Sequence, residues 1–201
     1  MIWRAILDAV FPAQCAACNA LGSALCATCA PPMPAFSVAH PGLRVVATGW
    51  YDGALRTAIL ALKDGRRDVA EALGARIAPA IEPGSLLVPV PTTRARLRTR
   101  GLDGVALVAA TAAYLANATV LHTLEHRVGD TQRGRTRDER LAAHGRFCAR
   151  EPLEGRACTL IDDVCTTGAT LTDCALAIRS AGASVTGAVV VAATKSPTSW
   201  R

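Results

Sequence analysis

The sequence predicts an α/β protein: a mostly parallel sheet flanked by helices, with a small four-cysteine module in front of it. Three observations carry that prediction. In the last third, apolar segments alternate with a helical one: "ACTLI" (157–161), "TLTDCALAIRSAG" (170–182) and "SVTGAVVVAAT" (184–194). The two outer segments have no polar face, as strands covered on both sides by crossover helices require. Near the N-terminus, four cysteines stand as two CxxC pairs, followed by the stiff break "PPMP" at 31–34. That break divides the chain into a module, 1–34, and a main domain, 35–201.

The elements follow in order. Residues 1–11, "MIWRAILDAVF", read as a short amphipathic helix. Arg4 and Asp8 inside it argue against a secretory signal, so a cytoplasmic protein is expected. "LRVVATGWY" (43–51) reads as a strand. "GALRTAILALK" (53–63) has helical apolar spacing, and "RRDVAEALGARIAPAI" (66–81) continues as a second helix after a glycine turn. "SLLVPVP" (85–91) is a buried strand closed by proline. "RARLRTRG" (94–101) is expected to be a basic loop, 102–116 a helix and "TVLHTL" (119–124) a strand. Residues 125–147 form a long polar loop with six arginines. Loops of that length are uncommon unless they have a job, and a lid over a reacting centre is one. Gly182 is expected to cap the last helix.

Composition narrows the class. With 51% hydrophobic and 19% charged residues among 201, the chain can bury a core. No apolar run reaches the length of a membrane span. The net charge of +6 is concentrated: residues 91–150 hold eleven arginines and five acids, and the remainder is balanced. This third is either a solvated arginine-rich surface or a site for a polyanion, since the guanidinium fork suits phosphate oxygens.

Cys15, Cys18, Cys26 and Cys29 have the spacing C-x2-C-x7-C-x2-C. Paired CxxC knuckles offer four thiolates to a tetrahedral Zn²⁺, here as a structural site. A redox motif needs one pair, and disulfides are disfavoured in a cytoplasmic chain. Cys148, Cys158 and Cys174 read as small buried hydrophobes.

The chemistry is concentrated in "LIDDVCTTGAT" (160–170). It lies where a parallel strand gives way to a helix, the usual ligand crevice of open α/β sheets. Free amides at a helix start seat an anion, and Thr166, Thr167 and Thr170 add hydroxyls. Gly168 lets the backbone approach a ligand closely. Two carboxylates beside a phosphate repel it unless something lies between them. A ribose 5-phosphate meets both needs: its phosphate on the turn, its 2- and 3-hydroxyls on Asp162 and Asp163. Mg²⁺ on oxygens would relieve the remaining charge. As helix caps alone, one acid would suffice.

The run Asp162-Asp163-Val164-Cys165-Thr166-Thr167-Gly168-Ala169-Thr170, after Thr159-Leu160-Ile161, resembles the phosphoribosyl pyrophosphate (PRPP) signature of type I phosphoribosyltransferases. The resemblance implies that family's fold, with acids on the ribose hydroxyls and the turn, including the Ala169 amide, on the 5-phosphate. A four-cysteine knuckle ahead of such a domain resembles the ComF family, linked to DNA uptake in competent bacteria. Further matching segments are Tyr51-Asp52-Gly53-Ala54-Leu55-Arg56, Leu62-Lys63, Val88-Pro89-Val90-Pro91 and Arg98-Thr99-Arg100-Gly101, with Gln132, Arg140 and Phe147. The chain differs from the family at Leu102-Asp103-Gly104 and at His144. The resemblance also implies that Pro91, Thr92, Thr93 and Arg94 meet the pyrophosphate. Arg94 joins Asp162 and Asp163 as a catalytic candidate, and Lys63 reads as an ordinary helix-end cation.

Two functions follow. One is a Mg²⁺-dependent phosphoribosyltransferase that releases pyrophosphate and transfers the sugar to an acceptor not legible here. The other is a non-catalytic DNA-uptake component that contacts single-stranded DNA or a helicase partner, its PRPP site a sensor or relic. Tyr114 and Phe147 are the basic third's two aromatics, so platforms for stacking bases are scarce. Whether the chain forms a homo-oligomer stays open at this stage.

Overall fold

The computed structural model describes residues 12–127 and 145–195. The helix expected over 1–11, the middle of the 125–147 loop, and Gln132, Arg140 and His144 lie outside the described residues. Among those described, no helix is long and apolar enough to cross a membrane.

A six-stranded sheet runs in the order β1-β2-β8-β7-β3-β4. Its strands are β1 (Phe36–Val38), β2 (Val45–Ala47), β3 (Leu86–Pro89), β4 (Thr119–Val120), β7 (Ala157–Cys165) and β8 (Ser184–Ala193). All neighbours are parallel except the β1–β2 edge pair. Strands β5 (Leu124–His126) and β6 (Phe147–Ala149) pair separately as an antiparallel ribbon. The predicted α/β architecture is therefore present.

Helix α1 (Gly53–Lys63) buries Leu55, Ala58, Ile59 and Leu62, one stripe at i, i+3, i+4 and i+7. Helix α2 (Arg67–Ile77) buries Val69, Ala70, Leu73, Gly74 and Ile77. A Cβ on Gly74 would lie 2.6 Å from Thr111 Cβ, so glycine permits close packing against α4 (Gly104–Ala116). These three helices and Ile161, Val189 and Val191 form one core layer. Helix α5 (Ala169–Ser180), the β5–β6 ribbon and Leu160, Val88 and Val190 form the other. Both faces are covered, which is why Leu160–Ile161 of β7 and 188–193 of β8 are apolar on both sides.

The four-cysteine segment packs on the first layer through Ala16, Ala24 and Leu25. Two arginines fasten it. Arg66, before α2, donates to Gln14 O, and half-buried Arg76 donates to the carbonyls of Ala30, Pro31 and Thr48.

Several local expectations are corrected. Residues 94–100 form helix α3 (Arg94–Arg100), not a loop. Thr93 caps its start by accepting from the Arg96 amide, and Gly101 closes it at φ 68°. The strand expected at 119–124 is two short strands. Strand β7 runs four residues further than expected, through both acids to Cys165. Helix α5 ends at Ser180, with Gly182 left-handed just beyond.

Candidate functional site

The sheet order creates a switch point between β3 and β7. From β3 the chain passes through α4 to β4 on one side, and from β7 through α5 to β8 on the other. Connections that part in this way leave a crevice at the strands' carboxyl ends, the usual ligand position in open α/β sheets. The two strands stay paired to that end, where the Val90 amide donates to Ile161 O at 2.9 Å. The crevice is flanked by Pro91, Thr92 and Thr93 after β3 and by Thr166, Thr167 and Gly168 after β7. These two segments, 73 residues apart in sequence, thus leave neighbouring parallel strands.

The two acids diverge because β7 continues through them, and successive residues of a strand face opposite sides. Asp162 follows Leu160 toward the α5 layer and is 9% exposed. Its Oδ1 accepts the Asp163 amide at 2.8 Å. Burial, then the charge of Asp163, holds its carboxyl well above the usual carboxylate range. Asp163 follows Ile161 toward the other layer, and its Oδ2 lies 2.9 Å from Lys63 Nζ. Lys63 closes α1, and the partners are 29% and 15% exposed. It is therefore the partner of a site acid, more than the helix-end cation expected. Val164 is half-buried against the α1–α2–α4 layer.

Past the acids the backbone turns. Thr166 and Thr167 are exposed, and Gly168, at φ 72°, starts α5. Helix starts leave amides without intrahelical partners. Among the described residues, no backbone carbonyl outside the helix takes the amides of Thr166, Thr167 or Thr170. The Ala169 amide reaches Thr167 Oγ1 at 3.4 Å. The Gly168 amide faces the sulfur of Cys165, which is buried beneath the turn. Burial and nearby Asp162 push that thiol up to about 11, so Cys165 can face a ligand through its backbone alone. The seat has the form an anion needs: two to three amides and a helix dipole.

The opposite loop is shaped by its own hydroxyls. The hydroxyl of Thr92 donates to Asp103 Oδ1 at 3.1 Å, and that of Thr93 caps α3. Asp103 also caps α4 through the Ala106 amide. Both threonines thus shape the loop with their hydroxyls and present their amides. Arg94 is the first residue of α3, and Arg96 and Arg98 are exposed along it.

Two residues were missed by the sequence reading. His126 on β5 donates from Nε2 to Pro91 O at 3.0 Å, tying the ribbon to the β3 loop. Its ring lies against Phe147, centroids 4.6 Å apart. His40, on the turn between β1 and β2, packs on Gly168: a Cβ there would lie 2.1 Å from the imidazole Cδ2. Neither has a local signal, since each acts across a long sequence separation.

Three cavities of 440–480 Å³ lie elsewhere, against residues 148–154, along the amino ends of the strands, and between 25–35 and α2. None is lined by the 91–93 or 166–170 loops. A phosphate held by backbone amides needs a shallow seat, so volume is a poor guide here.

The four cysteines gather as their spacing predicted. All four Sγ atoms lie within 4.8 Å of one another, and Cys18 Sγ is 3.7 Å from Cys26 Sγ. Tetrahedral Zn–S bonds of about 2.3 Å place sulfurs about 3.8 Å apart, so the cluster is compatible with zinc. Without a metal the thiols polarise one another. The Cys26 amide donates to Cys15 Sγ, which lowers Cys15 to about 6. Cys29, donating to Cys18 and Cys26, is raised to about 12. Among the described residues no comparable group of carboxylates is assembled. A Mg²⁺ here would take its ligands from the crevice carboxylates and from the bound molecule, as this ion usually does.

No family model matches the chain, and no curated protein matches it. Among solved structures it is similar to an allosteric regulatory enzyme of purine biosynthesis (TM-score 0.44, 19% identity, covering 61% of this chain and 26% of that one). It is also similar to a hypoxanthine phosphoribosyltransferase from Staphylococcus aureus (TM-score 0.35, 15% identity, 64% and 62% covered). A third is an orotate phosphoribosyltransferase from Aeropyrum pernix (TM-score 0.34, 19% identity, 78% and 71% covered). The chain therefore spans about a quarter of the first of these chains and less than two thirds of the second.

Proposed function

We propose that this chain binds PRPP in the switch-point crevice and, as a ComF-family phosphoribosyltransferase associated with DNA uptake, transfers the phosphoribosyl group to an acceptor with release of pyrophosphate. One observation carries the reading. The acid-bearing end of β7 and the arginine-flanked loop after β3 continue from neighbouring paired strands, at the point where the sheet's connections part.

In this reading the amides of Thr166, Thr167, Ala169 and Thr170, with the three threonine hydroxyls, receive the 5-phosphate at the start of α5. Asp163 accepts from the ribose hydroxyls and exchanges part of its contact with Lys63 for them. Asp162, buried and holding the Asp163 amide, fixes the strand end and the aim of its neighbour. The pyrophosphate faces the amides of Thr92 and Thr93 and the arginines of α3, with Arg94 first. Mg²⁺, when bound with PRPP, supplies positive charge to the departing pyrophosphate. The bond from the anomeric carbon to pyrophosphate breaks with its electron pair on the leaving oxygen, and the acceptor's lone pair forms the new bond. No protein nucleophile is required. Positioning and charge stabilisation account for the rate. The four cysteines hold structural Zn²⁺ in the N-terminal module, 1–34.

The test is a pyrophosphate-release assay with PRPP against a panel of bases, amines and nucleic acids. Acceptor-dependent release supports transfer. PRPP binding with no pyrophosphate released in the presence of any acceptor leaves a sensor.

A second reading has its own observation. Helix α3 is exposed from Ala95 to Thr99, with Arg96, Arg98 and Leu97 outward. Such a basic surface suits single-stranded DNA or an acidic face on a helicase partner. Phosphate contacts of that kind would weaken steeply with salt. No DNA binding at low salt would remove direct contact.

A further inference from the structure

The antiparallel edge of the sheet packs Phe36 and Val38 on the α5-side core, and its turn reaches the candidate site. The turn runs along α5, touching its first turn and its last. His40 Nε2 is 3.3 Å from Thr172 Oγ1, and Arg179 Nη2 donates to Gly42 O at 3.4 Å. At the first of these points the imidazole also rests on Gly168, just ahead of the helix. A Cβ there would lie 2.1 Å from Cδ2 and 2.2 Å from Nε2. The bareness that the sequence suggests for ligand approach is taken up by this ring. The imidazole is thus pressed against the backbone whose amides form the anion seat.

The hydrogen bonding orients the ring. Thr172 Oγ1 donates to Gly168 O at 3.2 Å. With its single proton so used, the hydroxyl accepts from His40, whose proton then sits on Nε2 and faces the first turn of α5. At 3.3 Å that contact is long for an N–H···O bond, and a stronger acceptor arriving nearby would take the donor. Among the described residues no lysine or arginine bonds to 166–170. The hydroxyls of Thr172 and Thr194 donate to the carbonyls of Gly168 and Thr166, and the imidazole adds an N–H donor beside them.

We propose that His40 is a further ligand of the phosphate seated on 166–170, its Nε2–H passing from Thr172 Oγ1 to a phosphate oxygen on binding. The proposal rests on the phosphate seat of the preceding section, and it gives the β1–β2 turn a reason to run along α5.

The probe is ribose 5-phosphate, titrated into the full chain with calorimetry and imidazole ¹⁵N spectra. His40→Ala assigns the His40 signal among the four histidines. The wild type should bind, its His40 Nε2 signal should move, and inorganic phosphate should move it the same way at higher concentration. His40→Ala should bind about tenfold more weakly, the worth of one hydrogen bond to a charged group. His40→Gln, which keeps a donor at similar reach, should recover part of the loss. If the wild type binds but the His40 signal stays still, or His40→Ala binds equally well, this inference is overturned and the PRPP reading stands. If the wild type binds no ribose 5-phosphate, the PRPP reading falls and this one with it. Should His40→Ala fail to fold, the wild-type ring signal alone decides, with assignment by His40→Gln.

Discussion

Replacing Gly168 by alanine puts the packing at the head of α5 to a quantitative test. Gly168 has φ 72°, and a left-handed backbone costs a residue with a Cβ about 1–2 kcal/mol. The new methyl would also stand 2.1 Å from the imidazole of His40, closer than any ordinary contact. The ring must leave, and its contact with Thr172 Oγ1 goes with it, about 1 kcal/mol more. Together these give a loss of about 2–3 kcal/mol, or roughly 4–12 °C in Tm at the scaling for chains of this length. Thermal and urea denaturation of Gly168→Ala measure it. Placing the same change in a His40→Ala background removes the clash and leaves the backbone part, about 1–2 kcal/mol. A cost below about 0.5 kcal/mol in the wild-type background, the range of an ordinary surface substitution, would refute the reasoning. An identical cost in both backgrounds would refute the part assigned to His40.

The other predictions concern the acids, the lysine and the cysteines. Asp162 has its carboxyl raised by burial and by Asp163, so the folded chain holds a proton that the unfolded chain releases. Its contribution is therefore present at low pH and lost as pH rises above the ordinary carboxylate value of about 4. Urea midpoints of wild type and Asp162→Asn should diverge with rising pH in favour of the variant; divergence the other way would contradict the assignment. Lys63→Met leaves Asp163 without its cation and should cost about 1 kcal/mol, given partial exposure of the pair. Combining it with Asp163→Asn should recover most of that loss, and additive losses would show that the pair is not coupled. Elemental analysis should find about one zinc per chain, falling to near none in Cys18→Ser. Full zinc occupancy in that variant would contradict a four-thiolate site.

Much of this arrangement is legible in the sequence because its causes are local. The bounds of α1 follow from one apolar stripe at 55, 58, 59 and 62, and match residue for residue. The strand–turn–helix around 157–180 follows from an apolar run, a Thr/Gly turn and a second apolar period. Helix α3 was misread because Arg-x-Arg-x-Arg has no buried stripe, yet Thr93 and Gly101 bracket it as caps. The divergence of Asp162 and Asp163 could have been found by carrying the strand's alternation two residues further. The motif reading had placed both in a loop, side by side. Other features have no local cause. Lys63 meets Asp163 across 100 residues, His40 meets Gly168 across 128, and His126 meets Pro91 across 35. Each pair forms only when elements distant in sequence pack together.

The most direct test of the central claim is calorimetric titration of PRPP, in the presence of Mg²⁺, into the wild type and into the Asp162→Asn/Asp163→Asn double variant. The account predicts saturable binding at one site per chain in the wild type and its loss in the double variant, with the variant still folded. Equal binding by both proteins, or none by the wild type, would contradict it.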